Sequence, residues 1–257
     1  MTNNLKAACD KVLDGIAQPG PNGVPGVVAM VTDRNGDVYE GVRGVRNTGT
    51  GVPMTADTVC AIFSTTKAIG GTAVMQCVEE GLLNLDAPAK EYVPDIGEIQ
   101  VIDGFEDDGT PKLRPPKSDI TTRQLMLHTA GFGYNFFNET YERLTAAERQ
   151  PLIVAANKAA MMTPLLFDPG EKWEYGSNID WAGLVVQAIR GKRLGDVIQE
   201  RVFDPLGITD MKFTRTDDMK SRSATIHARS EDGSLTPLDD FALPDNPEFD
   251  MAGHGLY

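Results

Sequence analysis

Apolar residues recur every three or four positions at Leu5, Ala8, Val12 and Ile16, the spacing that lines them along one face of a helix. Pro19 and Pro21 are expected to end that helix. The pattern then changes: GVVAMVTDRNGDVYEGVRG carries two β-rich runs around Arg34-Asn35-Gly36. Asn-Gly is a strong hairpin turn because both positions tolerate positive φ, so two antiparallel strands are expected here. TVCAIFS is a short β-rich run that delivers the chain to Ser64. From Thr65 to Leu83 the pattern is a long helix that closes near Gly81.

Beyond Leu83 the chain turns mostly helical. Pro88 and Pro94 break LNLDAPAKEYVPDI, and Gly97 to Asp119, with EDDGTP and RPPKSD, reads as a surface excursion. ITTRQLMLHTAGF resumes helix and is expected to stop near Gly131. Residues 140–162 read as helix around Pro151, and Asn178 to Ile189 and Leu194 to Phe203 as two more. No internal repeat or low-complexity tract interrupts this order. The expectation is a mixed α/β (α+β) fold, an antiparallel sheet flanked by helices with a helical region inserted. Residues 1–83 begin the sheet domain, 84–215 form the helical region and 216–257 return toward the sheet.

The 257 residues carry a net charge of −13, which argues against nucleic acid or an anionic membrane as partner, since both would repel the chain. No basic start leads into an apolar run at the N-terminus, and no apolar run approaches membrane-spanning length. A cytoplasmic location is therefore expected. Cys9, Cys60 and Cys77 show no CxxC spacing and read as reduced, mostly buried thiols. His128, His227 and His254 lack zinc-ligand spacing, so no metal and no cofactor are expected.

The chemistry concentrates around Ser64. Lys67 follows three positions later on a helix, so its amine can reach the Ser64 hydroxyl unaided. Burial and the positive helix end would both favour a neutral, proton-accepting lysine. Ser64 as an N-cap with Lys67 as a solvated neighbour is the other reading. A lysine in a first turn opposes the helix dipole, however, and stands where a capping box has Glu or Gln. Tyr175, in FDPGEKWEYGSNIDWAG, is the candidate second titrating group, because a phenol beside an ammonium has a lowered pKa. Taken alone, it reads equally as a core aromatic. Phe132, Tyr134, Phe136 and Phe137 form an aromatic run able to line an acyl pocket or simply to pack a loop. His128 reads as a capping or structural histidine, and Asp180 as a local cap or pair.

FSTTK, LRPPKSDITTRQLMLHTAGF, FDPGEKWEYGSNIDWAG and VFDPLGITDMKFT together resemble the serine β-lactamase-like family. The nearest branch is that of the family VIII carboxylesterases, related to class C β-lactamases, penicillin-binding proteins, D-amino-acid peptidases and statin-side-chain acyltransferases. The resemblance implies Ser64 as nucleophile, Lys67 as its proton partner and Tyr175 as the second base. It places Ser177 and Asn178, with Phe132 and Tyr134, at the substrate. In β-lactamases the asparagine two places after the tyrosine holds the amide of the lactam side chain. Here that place is Ser177 and Asn178 comes one later, which favours the esterase and acyltransferase branches. The family's third motif, on a later strand, lies past MAGHGLY. The chain is therefore expected to be a shortened enzyme, or the N-terminal part of a split one that a C-terminal chain completes. The expected activity is a serine carboxylesterase acting on small carboxylic esters through an acyl-enzyme on Ser64. The alternatives are hydrolysis of β-lactams or D-amino-acid amides, acyl transfer, and a non-catalytic binding module.

Overall fold

The computed structural model describes residues 2–18 and 22–257, so Pro19 and Pro21 lie outside the described residues. Along the chain run α1 (Thr2–Ile16), β1 (Gly26–Asp33), β2 (Gly36–Gly44), α2 (Thr66–Glu79), β3 (Val101–Phe105) and β4 (Pro111–Arg114). Then follow α3 (Thr122–Met126), α4 (Glu139–Ala146), α5 (Lys158–Met161), α6 (Asn178–Arg190), α7 (Leu194–Ile198) and α8 (Asp204–Leu206). A π-helical turn over Gln199–Phe203 joins α7 to α8. α9 (Asp217–Ser221), β5 (His227–Arg229) and β6 (Leu235–Pro237) complete the order.

The chain divides into two compact units, one of Met1–Cys60 with Arg215–Ala242, the other of Ala61–Thr214 with Leu243–Tyr257. In the first, β1 and β2 form the expected hairpin, paired antiparallel from Gly26↔Gly44 to Asp33↔Gly36 with an irregularity after Val31. α1 packs on β2, but not through the expected face. Leu5, Val12 and Ile16 are exposed, and Leu13 is the buried residue. Polar pairing sets the roll of the helix, because Tyr39 donates to Asp10 at 2.9 Å and Arg43 reaches Asp14 at 2.5 Å. β5 and β6 form a second short hairpin.

The second unit holds the large core. α6 packs against α2 and α3. Val74 and Cys77 of α2, Leu125 of α3, Trp181 and Val185 of α6, and Phe132 and Leu165 from loops are all almost completely buried. Burying a large apolar side chain contributes about 1.5–3 kcal/mol, so this cluster dominates the unit's stability. The helix carrying Ser64 thus belongs with the helical unit, and so do residues 243–257.

The stretch from Gly97 to Asp119 is not an irregular excursion. β3 and β4 pair antiparallel from Val101↔Arg114 to Phe105↔Pro111, and Ile102 N–H donates to Leu165 at 2.9 Å. Arg114 grips Asp168 through two bonds of 2.8 Å, and the Lys117 amide donates to the same carboxylate at 2.8 Å. Asp168 is 3% exposed. The Arg114 hydrogen bonds come first in holding its carboxyl far below the usual range, against burial, which would raise it. Charged residues that look solvated in sequence here form an ion pair around a buried carboxylate. Residues 140–162 likewise break into α4, a 3-10 turn at Ile153–Ala155 and α5, consistent with Pro151 removing a helical N–H.

Candidate active site

Ser64 sits in a 3-10 turn, Phe63–Thr65, that runs directly into α2. The expected strand through TVCAIFS is not formed. Its last residues curl instead, and Phe63 takes a φ of 41°, a left-handed conformation that costs a non-glycine residue about 1–2 kcal/mol. The turn is pinned from the C-terminal segment, since Ile62 N–H donates to Leu256 O at 3.0 Å and Leu256 N–H to Thr66 Oγ1 at 3.2 Å. Thr66 is fully buried while Ser64 is exposed. The hydroxyl is therefore presented to solvent from a rigid base. Cys60, expected to be buried, is exposed.

One turn on, Lys67 Nζ lies 3.1 Å from Ser64 Oγ, 3.3 Å from Tyr134 OH and 2.7 Å from the Gly253 carbonyl. Three acceptors match the three N–H bonds of an ammonium group. Tyr175 comes from the loop before α6, and its OH lies 2.8 Å from Ser64 Oγ. Lys67 Nζ also stands 4.7 Å from the centre of the Tyr175 ring. Partial burial alone would raise the Tyr175 pKa. Hydrogen bonding from Lys67 and Ser64, with the Lys67 charge, outweighs it and leaves the phenol lowered. Tyr134 reaches the same lysine but is pushed up, mainly by burial and then by Asp180. Burial thus separates two tyrosines on one cation. The more exposed one loses its proton more readily, and the other stays a phenol.

The Tyr175 loop is held by close packing. A Cβ on Gly176 would fall 2.3 Å from Phe132 O, so only glycine allows this approach. Behind it, Asn178 Nδ2 lies 3.1 Å from His128 Nδ1 and donates to Phe132 O at 3.3 Å. His128 takes a φ of 57° just after α3, and its pKa is pushed down to about 4 by burial first and the Lys67 charge second. A neutral imidazole is the form able to accept a hydrogen bond at Nδ1.

Of the residues expected at the substrate, only Tyr134 reaches the Ser64 group. Phe132, Ser177 and Asn178 are turned inward, at 0%, 2% and 0% exposure. Phe132 stacks on Trp181, and Asn178 is occupied by the loop it holds. Their burial sets these three side chains behind the Ser64 group, out of contact with it. Near Tyr134 and Tyr175 the exposed aromatics are Phe136, Phe137 and Trp173. Phe136 stacks on Tyr134 at 5.0 Å between ring centres, Phe137 lies 6.2 Å from Tyr175, and Trp173 stacks on Tyr175 at 6.3 Å. Sequence reasoning missed Trp173 as a rim residue, and it missed the Gly253 carbonyl, a backbone atom brought in by a distant segment. Among the described residues no cluster suits a metal ion, and no helix is long and apolar enough to cross a membrane.

An exposed hydroxyl between a lysine and a depressed-pKa phenol is an arrangement for acyl transfer. A family model described as Beta-lactamase matches residues 13–257. The chain belongs to the beta-lactamase family. Within that family it is 33% identical, over 91% of its length, to monacolin J acid methylbutanoyltransferase of Aspergillus terreus. To lovastatin esterase of Penicillium rubens it is 34% identical, again over 91% of the chain. The chain spans 59% of the length of each of these relatives. Its structure superposes on a simvastatin synthase mutant from Aspergillus terreus with a TM-score of 0.82 and 33% identity, covering 97% of this chain and 61% of that one. The serine β-lactamase-like resemblance read from the motifs is thereby shown, and with it the fold class.

Proposed function

We propose that the protein is a serine esterase that cleaves small, largely apolar carboxylic esters through an acyl-enzyme on Ser64. The observation that carries this reading is the contact of an exposed Ser64 Oγ with Lys67 Nζ at 3.1 Å and Tyr175 OH at 2.8 Å. Tyr175, as phenolate, takes the Ser64 proton while Oγ bonds to the ester carbonyl carbon. Lys67 holds the phenolate by its charge, and the Ser64 amide is one donor to the tetrahedral oxyanion. Tyr175 then returns its proton to the leaving alkoxide as the carbon–oxygen bond breaks. In the second half, water loses a proton to Tyr175 and attacks the acyl carbon. The acid departs, and Ser64 Oγ recovers the proton. The exposed rim of Phe136, Phe137 and Trp173 supports an apolar acyl or alcohol group.

Acyl transfer is the second reading, supported by the relatives named methylbutanoyltransferase and simvastatin synthase. An alcohol would then replace water in the second half, with the same proton route. The test is an intact mass of the 257-residue chain before and after a fluorophosphonate, with Ser64→Ala as control. A single adduct on Ser64 is expected, together with hydrolysis of a short-chain aryl ester. Faster turnover of a chromogenic cephalosporin than of the ester would overturn the esterase assignment. An unchanged ester rate in Ser64→Ala would overturn the mechanism. Appearance of a new ester when an alcohol is added would select the transferase.

A further inference from the structure

Asp180 is 1% exposed on α6, and no titrating role in the mechanism above uses it. Its Oδ1 accepts the Gly253 N–H at 2.7 Å, while Oδ2 has no hydrogen-bond partner. His254 Nδ1 lies 3.5 Å from the same Oδ1. The carbonyl of that same Gly253 accepts from Lys67 Nζ at 2.7 Å, the shortest of the lysine's three contacts. One residue is therefore held by an acid at its amide and holds the lysine at its carbonyl.

The fit around this link is close on every side. A Cβ on Gly253 would lie 2.6 Å from Asp180 Oδ2 and 2.7 Å from Oδ1, so the carboxylate occupies the space any other residue would need. The preceding Ala252 is seated between two helices. A Cβ on Gly70 of α2 or on Gly183 of α6 would come within 2.9 and 2.7 Å of the Ala252 methyl. Gly255 N–H closes the turn onto Met251 O at 2.8 Å. Packing fixes where the 252–254 segment sits, and Asp180 supplies the polar anchor that fixes which way residue 253 faces.

We infer that Asp180 is a positioning residue for Lys67, acting through Gly253 to aim a backbone carbonyl at the lysine amine. A buried carboxylate suits this task because it accepts an amide proton more strongly than a neutral group does. Removing it leaves the Gly253 N–H buried and unpaired, and the turn then relaxes toward any other acceptor. The consequence for catalysis rests on the esterase reading, but the placement of Lys67 does not.

The experiment compares the 257-residue chain with Asp180→Ala and Asp180→Asn, each first checked for wild-type circular dichroism. Lys67 is acetylated competitively with acetic anhydride, and its rate is read by peptide mass spectrometry against the exposed Lys112. In Asp180→Ala, Lys67 is expected to react about tenfold faster than in wild type, the scale of a lost charge-assisted hydrogen bond. Asp180→Asn keeps a carbonyl acceptor for the Gly253 amide and is expected to stay within about twofold of wild type. Equal Lys67 rates in wild type and Asp180→Ala would overturn the inference, as would an asparagine variant as reactive as the alanine one. If the alanine variant does not fold, Asp180→Leu, which keeps the branched shape and has no acceptor, replaces it with the same expectation. Fluorophosphonate labelling of Ser64, run in parallel, is expected to slow about tenfold in Asp180→Ala. A wild-type chain that takes no label would remove the esterase reading, and Lys67 acetylation would still decide this inference.

Discussion

Replacing Tyr175 with Phe separates chemistry from stability more cleanly than any other change in the site. The substitution removes one oxygen, the one 2.8 Å from Ser64 Oγ, and keeps a ring that packs beside His128 at 4.9 Å and Tyr134 at 5.4 Å. The lost hydrogen bond is partly exposed and is worth about 0.5–1.5 kcal/mol of folding stability. A lost general base costs about 10²–10⁴ in rate, or about 3–5 kcal/mol of barrier. The variant is therefore expected to melt close to wild type and to hydrolyse an aryl ester several hundredfold more slowly or worse. The pH profile gives the sign. Tyr175 accepts a proton only as phenolate, so the wild-type rate rises with pH as the phenol ionises. Because its pKa is lowered, that rise is centred at lower pH than the ionisation of a free phenol. Tyr175→Phe removes the rise, and Lys67→Ala moves it to higher pH by deleting the cation that lowers the phenol. A Tyr175→Phe enzyme within about threefold of wild type, with an unchanged pH profile, would refute the role of Tyr175 and leave Lys67 as sole base.

Further predictions concern folding. The folded-state pKa of His128, pushed down to about 4, lies below its ordinary value, so stability is full above about pH 6.5 and falls as the pH drops toward 4. His128→Gln is expected to remove that step from a urea midpoint-against-pH plot, and a persisting step would assign it to another group. Asp168 is held far below the usual carboxylate range, so its contribution is present above about pH 4 and is lost only below it. Asp168→Asn is expected to lower Tm at pH 7 and to flatten the loss below pH 4, and a Tm equal to wild type would refute the reading of a paired, buried carboxylate. Phe132→Ala is expected to cost about 3–5 kcal/mol in urea unfolding, because a fully buried ring is removed. Phe136→Ala, from the exposed rim, is expected to stay within about 0.5 kcal/mol and to raise KM for apolar esters. If the two variants exchanged these effects, the division into core and rim would be wrong.

Local signals carried far in the sequence. The β1–β2 hairpin was legible at Arg34-Asn35-Gly36: the turn falls on Arg34-Asn35, and Gly36 supplies the single positive φ, 124°, that opens β2. Ser64 and Lys67 lie three apart where a 3-10 turn runs into α2, and that near-helical spacing accounts for their 3.1 Å contact. The motifs also carried the family, because short stretches in a fixed order survive where overall identity does not. What escaped was every feature that depends on a distant partner. The roll of α1 was decided by Asp10 and Asp14 meeting Tyr39 and Arg43. The Gly97–Asp119 stretch became a hairpin because Arg114 finds Asp168 and Ile102 finds Leu165. Polar composition suggested solvent there, and pairing to the buried Asp168 carboxylate decided otherwise.

The site divides along the same line. Sequence spacing determined which serine and lysine meet, and the tyrosine was legible from its motif. Only the tertiary structure decided that Phe132 and Asn178 turn inward, that Trp173 and Phe136 face out, and that Gly253 lies under the lysine. Those outcomes depend on which atoms compete for the same space: a missing Cβ at Gly176, Gly183 or Gly253 has no signature in sequence until the neighbour it admits is known. Helical spacing acts over a few residues and is written in the chain. Close packing and burial of charge act across it, and they exist only once the chain has folded.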